Sequence, residues 1–183
     1  MRSGRRSVLG GGVALLVAAL TALPAVADDT TVTFTVTAGA LDITVPGSAS
    51  LGPGAPGGVI NGQLGVVTVT DLRASANASW TVTVTSTDFT TGAGAASQTT
   101  LATEVDYWSG PAITTTGNGD FTPGQLAAGD RVPLNNAPTT VTAFTHSGGT
   151  GNNTVTWNPT LSVRVPLDSQ AGAYTGTVTH SVA

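Results

Sequence analysis

The chain has 183 residues, 9% of them charged, with 24 glycines, 10 prolines, 33 threonines and no cysteine. That charged fraction is far below the ~25% of an ordinary soluble domain, and glycine plus proline stays under the ~25–30% of low-complexity chains. A coiled coil, a charged disordered tail and a disulfide scaffold are therefore excluded.

The first segment reads as a secretory leader. Arg2, Arg5 and Arg6 supply a positive start, Val8 to Leu23 is apolar, and Ala25-Val26-Ala27 offers a small-x-small cleavage site. The apolar run is softened by Gly10, Gly11 and Gly12, and it falls short of the ~20 residues that span a bilayer. Arg5-Arg6-Ser7-Val8-Leu9 resembles a twin-arginine export motif, so that route and the general secretory route both stay open. The expected organisation is a leader over residues 1–27 and a single domain over residues 28–183, long enough to bury its own core.

The exported part keeps three cations, Arg73, Arg131 and Arg164, against all ten acids, a net charge of −7. Nucleic acid is excluded as a partner, because its binding rests on phosphate neutralisation by lysine and arginine. No second apolar run, lipid-attachable cysteine or sortase-type tail follows the leader. The expected location is extracellular, at the cell surface, with no membrane contact after cleavage and any attachment non-covalent.

Taken in chain order, the expected elements are strands. Thr31–Thr37 alternates Val32, Phe34 and Val36 with four threonines. Further strands are expected at Leu41–Val45, Leu64–Asp71, Trp80–Thr87, Glu104–Trp108, Ala112–Thr115, Val141–Phe144, Thr154–Trp157 and Leu161–Val165. Tyr174–Val182 closes the chain, with Tyr174, Val178, His180 and Val182 on one face. Period-two alternation marks strands buried on one side, and β-branched residues suit the pleated surface. Asn61-Gly62 and Asn118-Gly119 signal turns, and loops are expected over Pro46–Gly58, Thr91–Thr100 and Ser147–Asn153. No segment after the leader has helical periodicity with start and stop signals. The expected fold is all-β: an antiparallel, immunoglobulin-like β-sandwich of about seven to nine strands. The same alternation would also serve a closed barrel.

No catalytic pattern emerges. His146 and His180 are the only histidines, too few for a zinc site without further ligands at suitable spacing. No Gly-x-Ser-x-Gly elbow is present, and the acids sit in no motif. No metal, cofactor or enzymatic activity is expected. The few aromatics are more informative. Trp80 and Tyr174 lie in inward registers, which favours a core role. Tyr107 and Trp108 are adjacent, so on a strand they face opposite ways and one is less buried. An accessible ring flanked by hydroxyls and amides suits sugar stacking. Trp157, before Asn158-Pro159, either closes the core or joins such a surface. The candidate ligand-binding residues are Trp80, Tyr107, Trp108, Trp157 and Tyr174. The outward threonine rows read as a solvated strand face, since they lack the fixed repeat of ice-binding proteins.

Three stretches carry a family resemblance: Leu64-Gly-Val-Val-Thr-Val-Thr-Asp71, Trp80-Thr81-Val82, and Tyr174-Thr-Gly-Thr-Val-Thr-His-Ser-Val182. Together they resemble the WxL surface domain of Gram-positive bacteria, in its divergent actinobacterial form. The resemblance covers most of Leu41–Val182. It implies an exported β-rich domain held non-covalently on the cell wall, on peptidoglycan in particular. The chain departs from the family pattern at Val82, where leucine is usual, and at His180-Ser181-Val182, where a second Trp-x-Leu is usual. The expected function is therefore a non-enzymatic module that associates with peptidoglycan or another wall glycan. The alternative is a structural or adhesive secreted protein that pairs an exposed strand edge with a partner protein.

Overall fold

The computed structural model describes residues 30–183, so the expected leader and its cleavage site lie outside the described residues. Thr35–Ala183 forms one compact unit. Twelve strands succeed one another: β1 (Leu41–Thr44), β2 (Val59–Gln63), β3 (Val67–Ser86), β4 (Phe89–Thr90), β5 (Thr99–Thr100), β6 (Val105–Trp108), β7 (Ala112–Thr116), β8 (Asp120–Pro123), β9 (Val132–Pro133), β10 (Val141–Trp157), β11 (Thr160–Arg164) and β12 (Val178–Val182). Three short 3-10 turns are the only helical pieces among the described residues.

All ladders are antiparallel. A six-stranded sheet is built on the long pair β3 and β10. β1 and β12 flank successive halves of β3, while β7 and β8 flank successive halves of β10. A four-stranded sheet has the order β2-β11-β6-β9, and β4 pairs with β5 alone. The inward registers of the two large sheets meet in one core. Val67, Val69, Trp80, Val82, Val84, Phe144, Val155 and Trp157 come from the first sheet; Val105, Tyr107, Leu161 and Val163 come from the second. Each fully buried Val or Leu contributes roughly 1.5–3 kcal/mol relative to exposure, and this alternation carries the sandwich without disulfides.

The sandwich and most strands stand where alternation puts them, with instructive differences. Five strands were not expected: β4, β5 and β9, two-residue pieces too short to show a period, and β2 and β8; conversely Leu64–Asp71 with Trp80–Thr87, and Val141–Phe144 with Thr154–Trp157, run together as β3 and β10. The stretch Ser147–Asn153 is not a loop. It continues β10 through a run of register shifts, with Gly148 and Gly151 at positive φ, the conformation glycine adopts without steric cost. Asn61-Gly62 is not a turn but lies within β2. A Cβ at Gly62 would come 2.7 Å from Leu51, so the glycine there admits the loop that covers this strand. Asn118-Gly119 does turn the chain, between β7 and β8, and Asn118 receives the Thr150 N–H at 2.7 Å.

The largest correction concerns Thr31–Thr37, which forms no strand. Val32, Phe34 and Val36 are 80%, 88% and 72% exposed. Alternation specifies a pleat but not a partner, and an unpaired strand leaves its backbone groups to water.

Candidate functional site

The four-stranded sheet places its chemistry by parity. Tyr107 is fully buried, so its neighbour Trp108 faces outward and is half-buried. Leu161 and Val163 enter the core, which turns Thr160, Ser162 and Arg164 out. On β2, Ile60 packs on the core while Val59, Asn61 and Gln63 are exposed. Register then assembles rows across the strands. Thr160 stands between Gln63 and Trp108, and Ser162 stands between Asn61 and Asp106.

These rows line an open groove of about 670 Å³, walled on one side by Trp108 and reached by Arg131. That volume is within the ~300–1,000 Å³ usual for ligand pockets. Its charges are internally balanced. Asp106 Oδ2 receives Arg131 Nε at 3.2 Å and Arg164 Nη1 at 2.5 Å, and Glu104 receives Arg164 Nε at 3.0 Å. The hydrogen bond to Glu104, with the nearby Asp106 charge, raises the Arg164 pKa further above its ordinary value. Two carboxylates face two guanidiniums, so a strongly acidic protein presents a nearly neutral groove. It offers one flat ring, two amides and two hydroxyls, a set that stacks on and hydrogen-bonds a neutral polyol.

The other aromatic candidates are placed elsewhere. Trp80 is 3% exposed, stacks on His146 at 5.5 Å and donates its indole N–H to Asn153 Oδ1 at 2.8 Å. Asn153 in turn reaches the buried Asp71 carboxylate at 3.3 Å, and Arg73 grips both oxygens of Asp71. The Arg73 hydrogen bonds hold the Asp71 pKa below the usual carboxylate range, against the effect of burial. Trp80 thus anchors the β3–β10 pair. Trp157 is fully buried against Phe144, with ring centroids 4.9 Å apart. The Tyr107 hydroxyl meets His180 Nε2 at 3.1 Å. Burial raises the Tyr107 pKa and pushes His180 down to about 4, so both groups are neutral near pH 7. Tyr174 is half-buried, with its hydroxyl against the Gln170 and Ser97 carbonyls at 2.9 and 3.1 Å, where it fastens loops.

Of the five candidates, only Trp108 lines the groove. Asn61, Gln63, Thr160, Ser162 and Arg131 join it, and sequence reasoning did not single them out. For β11 the signal was available in the outward parity of Thr160 and Ser162. For β2 it was masked by the turn reading of Asn61-Gly62. Among the described residues no group of three or more His, Cys, Asp or Glu is placed to hold a metal ion. Asp88 accepts the Ala102 N–H at 2.8 Å and Asn118 the Thr150 N–H at 2.7 Å.

No family model matches this chain, and no curated protein matches it.

Proposed function

We propose that the chain is an exported, non-enzymatic surface module that binds a neutral glycan of the cell wall, peptidoglycan in particular, through the Trp108 groove. One observation carries this reading: the half-buried Trp108 stands beside Thr160 and Gln63 in a charge-balanced groove on the outer face of β2-β11-β6. The leader-like first 27 residues and the resemblance to the WxL surface domain support export and a wall location. Attachment by stacking and hydrogen bonds persists at high salt, because little of it depends on charge. The test is co-sedimentation of the exported protein with purified peptidoglycan at high salt. Wild type pellets, while Trp108→Ala stays in the supernatant with an unchanged circular dichroism spectrum. Equal sedimentation of the two proteins overturns the role of the groove.

A second reading, a structural protein that pairs a strand edge with another chain, is favoured by the unpaired, exposed Thr31–Thr37 segment.

A further inference from the structure

The core is not closed everywhere. A slot of about 200 Å³ enters between the two large sheets beside β12 and reaches Val67 and Leu161, both fully buried. Around it Leu51, Leu64, Phe89 and Val178 pack on the core yet stay only partly buried. Protein interiors are otherwise as densely packed as organic crystals, so an apolar space of this size is a place for a guest. The side chains that line it are apolar except Ser48, Thr177 and His180, and none is charged.

The His180 ring brings a defined donor to this wall. The Tyr107 hydroxyl meets its Nε2 at 3.1 Å. The buried Trp157 indole N–H, which can only donate, lies beside the same hydroxyl and has no other partner. The Tyr107 oxygen therefore faces one donor, and its own proton goes to His180 Nε2. Burial keeps the His180 ring neutral near pH 7, so its single proton sits on Nδ1. Among the described residues nothing bonds Nδ1, and that atom is not sealed from the open space. One N–H in an uncharged apolar slot is thus available to a guest.

We infer that this slot binds a small uncharged molecule made of one apolar ring and one carbonyl oxygen, the class of aryl ketones, esters and lactones, with the carbonyl accepting from His180 Nδ1. An apolar cavity of about 150 Å³ takes up benzene, so a slot of about 200 Å³ leaves room for one ring and a short substituent. A carboxylate or an ammonium is excluded, because the slot offers no counter-charge. A sugar is excluded too, since three polar side chains cannot satisfy its hydroxyls. The site is independent of the Trp108 groove, which lies on the outer face of β2-β11-β6.

The test is an NMR titration of the purified full chain with acetophenone, one ring with one carbonyl. The expected result is a saturable shift of the Leu51, Val178 and His180 signals. Ethylbenzene, the same body without an acceptor, binds roughly tenfold more weakly, the scale of one neutral hydrogen bond, and benzoate gives no saturable shift. Two variants locate the guest. Ala49→Trp fills the slot from an exposed loop position outside every ladder and abolishes the shift. His180→Phe keeps a ring in the wall and lowers acetophenone affinity to that of ethylbenzene. If that variant unfolds through loss of the Tyr107 contact, the two ligands compared on wild type still decide. Absence of a saturable shift with acetophenone overturns the inference, and so does equal affinity for ethylbenzene or unchanged binding by Ala49→Trp. Trp108→Ala retains acetophenone binding, and Ala49→Trp retains peptidoglycan sedimentation, so the two proposals fail separately.

Discussion

The outer faces of the two large sheets follow one period and present different chemistry. On the six-stranded sheet, Thr44, Thr68, Thr156 and Thr114 stand in register across four strands, with the last two hydroxyls 2.7 Å apart. On the four-stranded sheet the equivalent rows hold Gln63, Thr160 and Trp108, then Asn61, Ser162 and Asp106. Alternation decides which positions see water on both sheets. The residues placed there decide whether a face is merely wetted or can grip a ligand. Threonine rows give β propensity and hydration; an accessible indole in one row with a hydroxyl and an amide gives a stacking surface. The contrast extends to the tryptophans. Trp80 and Trp157 hold the sandwich together, while Trp108 is free to act outside it.

The sharpest way to break this comparison is to damage the inward side. Trp157→Ala should cost about 3–5 kcal/mol in denaturant melts, the usual range for a buried tryptophan. Arg73→Met should cost less, about 1–3 kcal/mol, because Asp71 loses its charged partner but keeps the residue 73 N–H and the Asn153 amide.

The inward side also carries a pH response. Burial disfavours the charged ring and pushes the His180 pKa in the folded chain down to about 4 from its ordinary value of 6.5. Between those values the unfolded chain takes up a proton that the folded chain does not. Stability therefore falls as pH drops from 6.5 to 4, by up to about 3 kcal/mol, and this contribution levels off below. Urea midpoints across that window should show the slope, and His180→Gln should flatten it. Asp71 acts in stronger acid. Its folded pKa is lowered, so its contribution is present at neutral pH and is lost only as the carboxylate protonates below its usual range.

Changes on the outer faces should be milder for stability. Trp108→Ala should weaken glycan binding about tenfold or more, the scale of one lost stacking contact, and leave the melt cooperative. Thr83→Ser and Thr156→Ser, on the threonine face, should shift stability within about 0.5 kcal/mol and leave sedimentation unchanged. A large binding loss from either would move the site to the wrong sheet.

The parts of the fold legible in the sequence were those written in period two. Trp80, Val82 and Val84 entered the core as alternation required. The opposite facing of Tyr107 and Trp108 followed from adjacency on one strand, but which of the two faces out did not. Less legible were features that depend on long-range pairing. Glycine-rich Ser147–Asn153 looked like a loop because its ladder is held by β3 and by bulges that composition does not reveal. Gly62 signalled a turn, yet it serves the close approach of Leu51 from a distant loop. Thr31–Thr37 shows the converse, a complete strand pattern with no edge to receive it in the described structure. The paired charges of Asp106 with Arg131 and Arg164 join residues far apart in sequence, and only the register of β6 and β11 brings them together.

The most direct test is intrinsic fluorescence of the protein, titrated with soluble peptidoglycan fragments at high salt. Trp80 and Trp157 are shielded in the core, so Trp108 is the indole a bound sugar can touch. The account predicts a saturable spectral change in wild type that is absent from Trp108→Ala, with both proteins giving the same far-ultraviolet dichroism. An equal saturable change in Trp108→Ala would contradict it, as would an unresponsive wild-type spectrum while the protein still sediments with the wall.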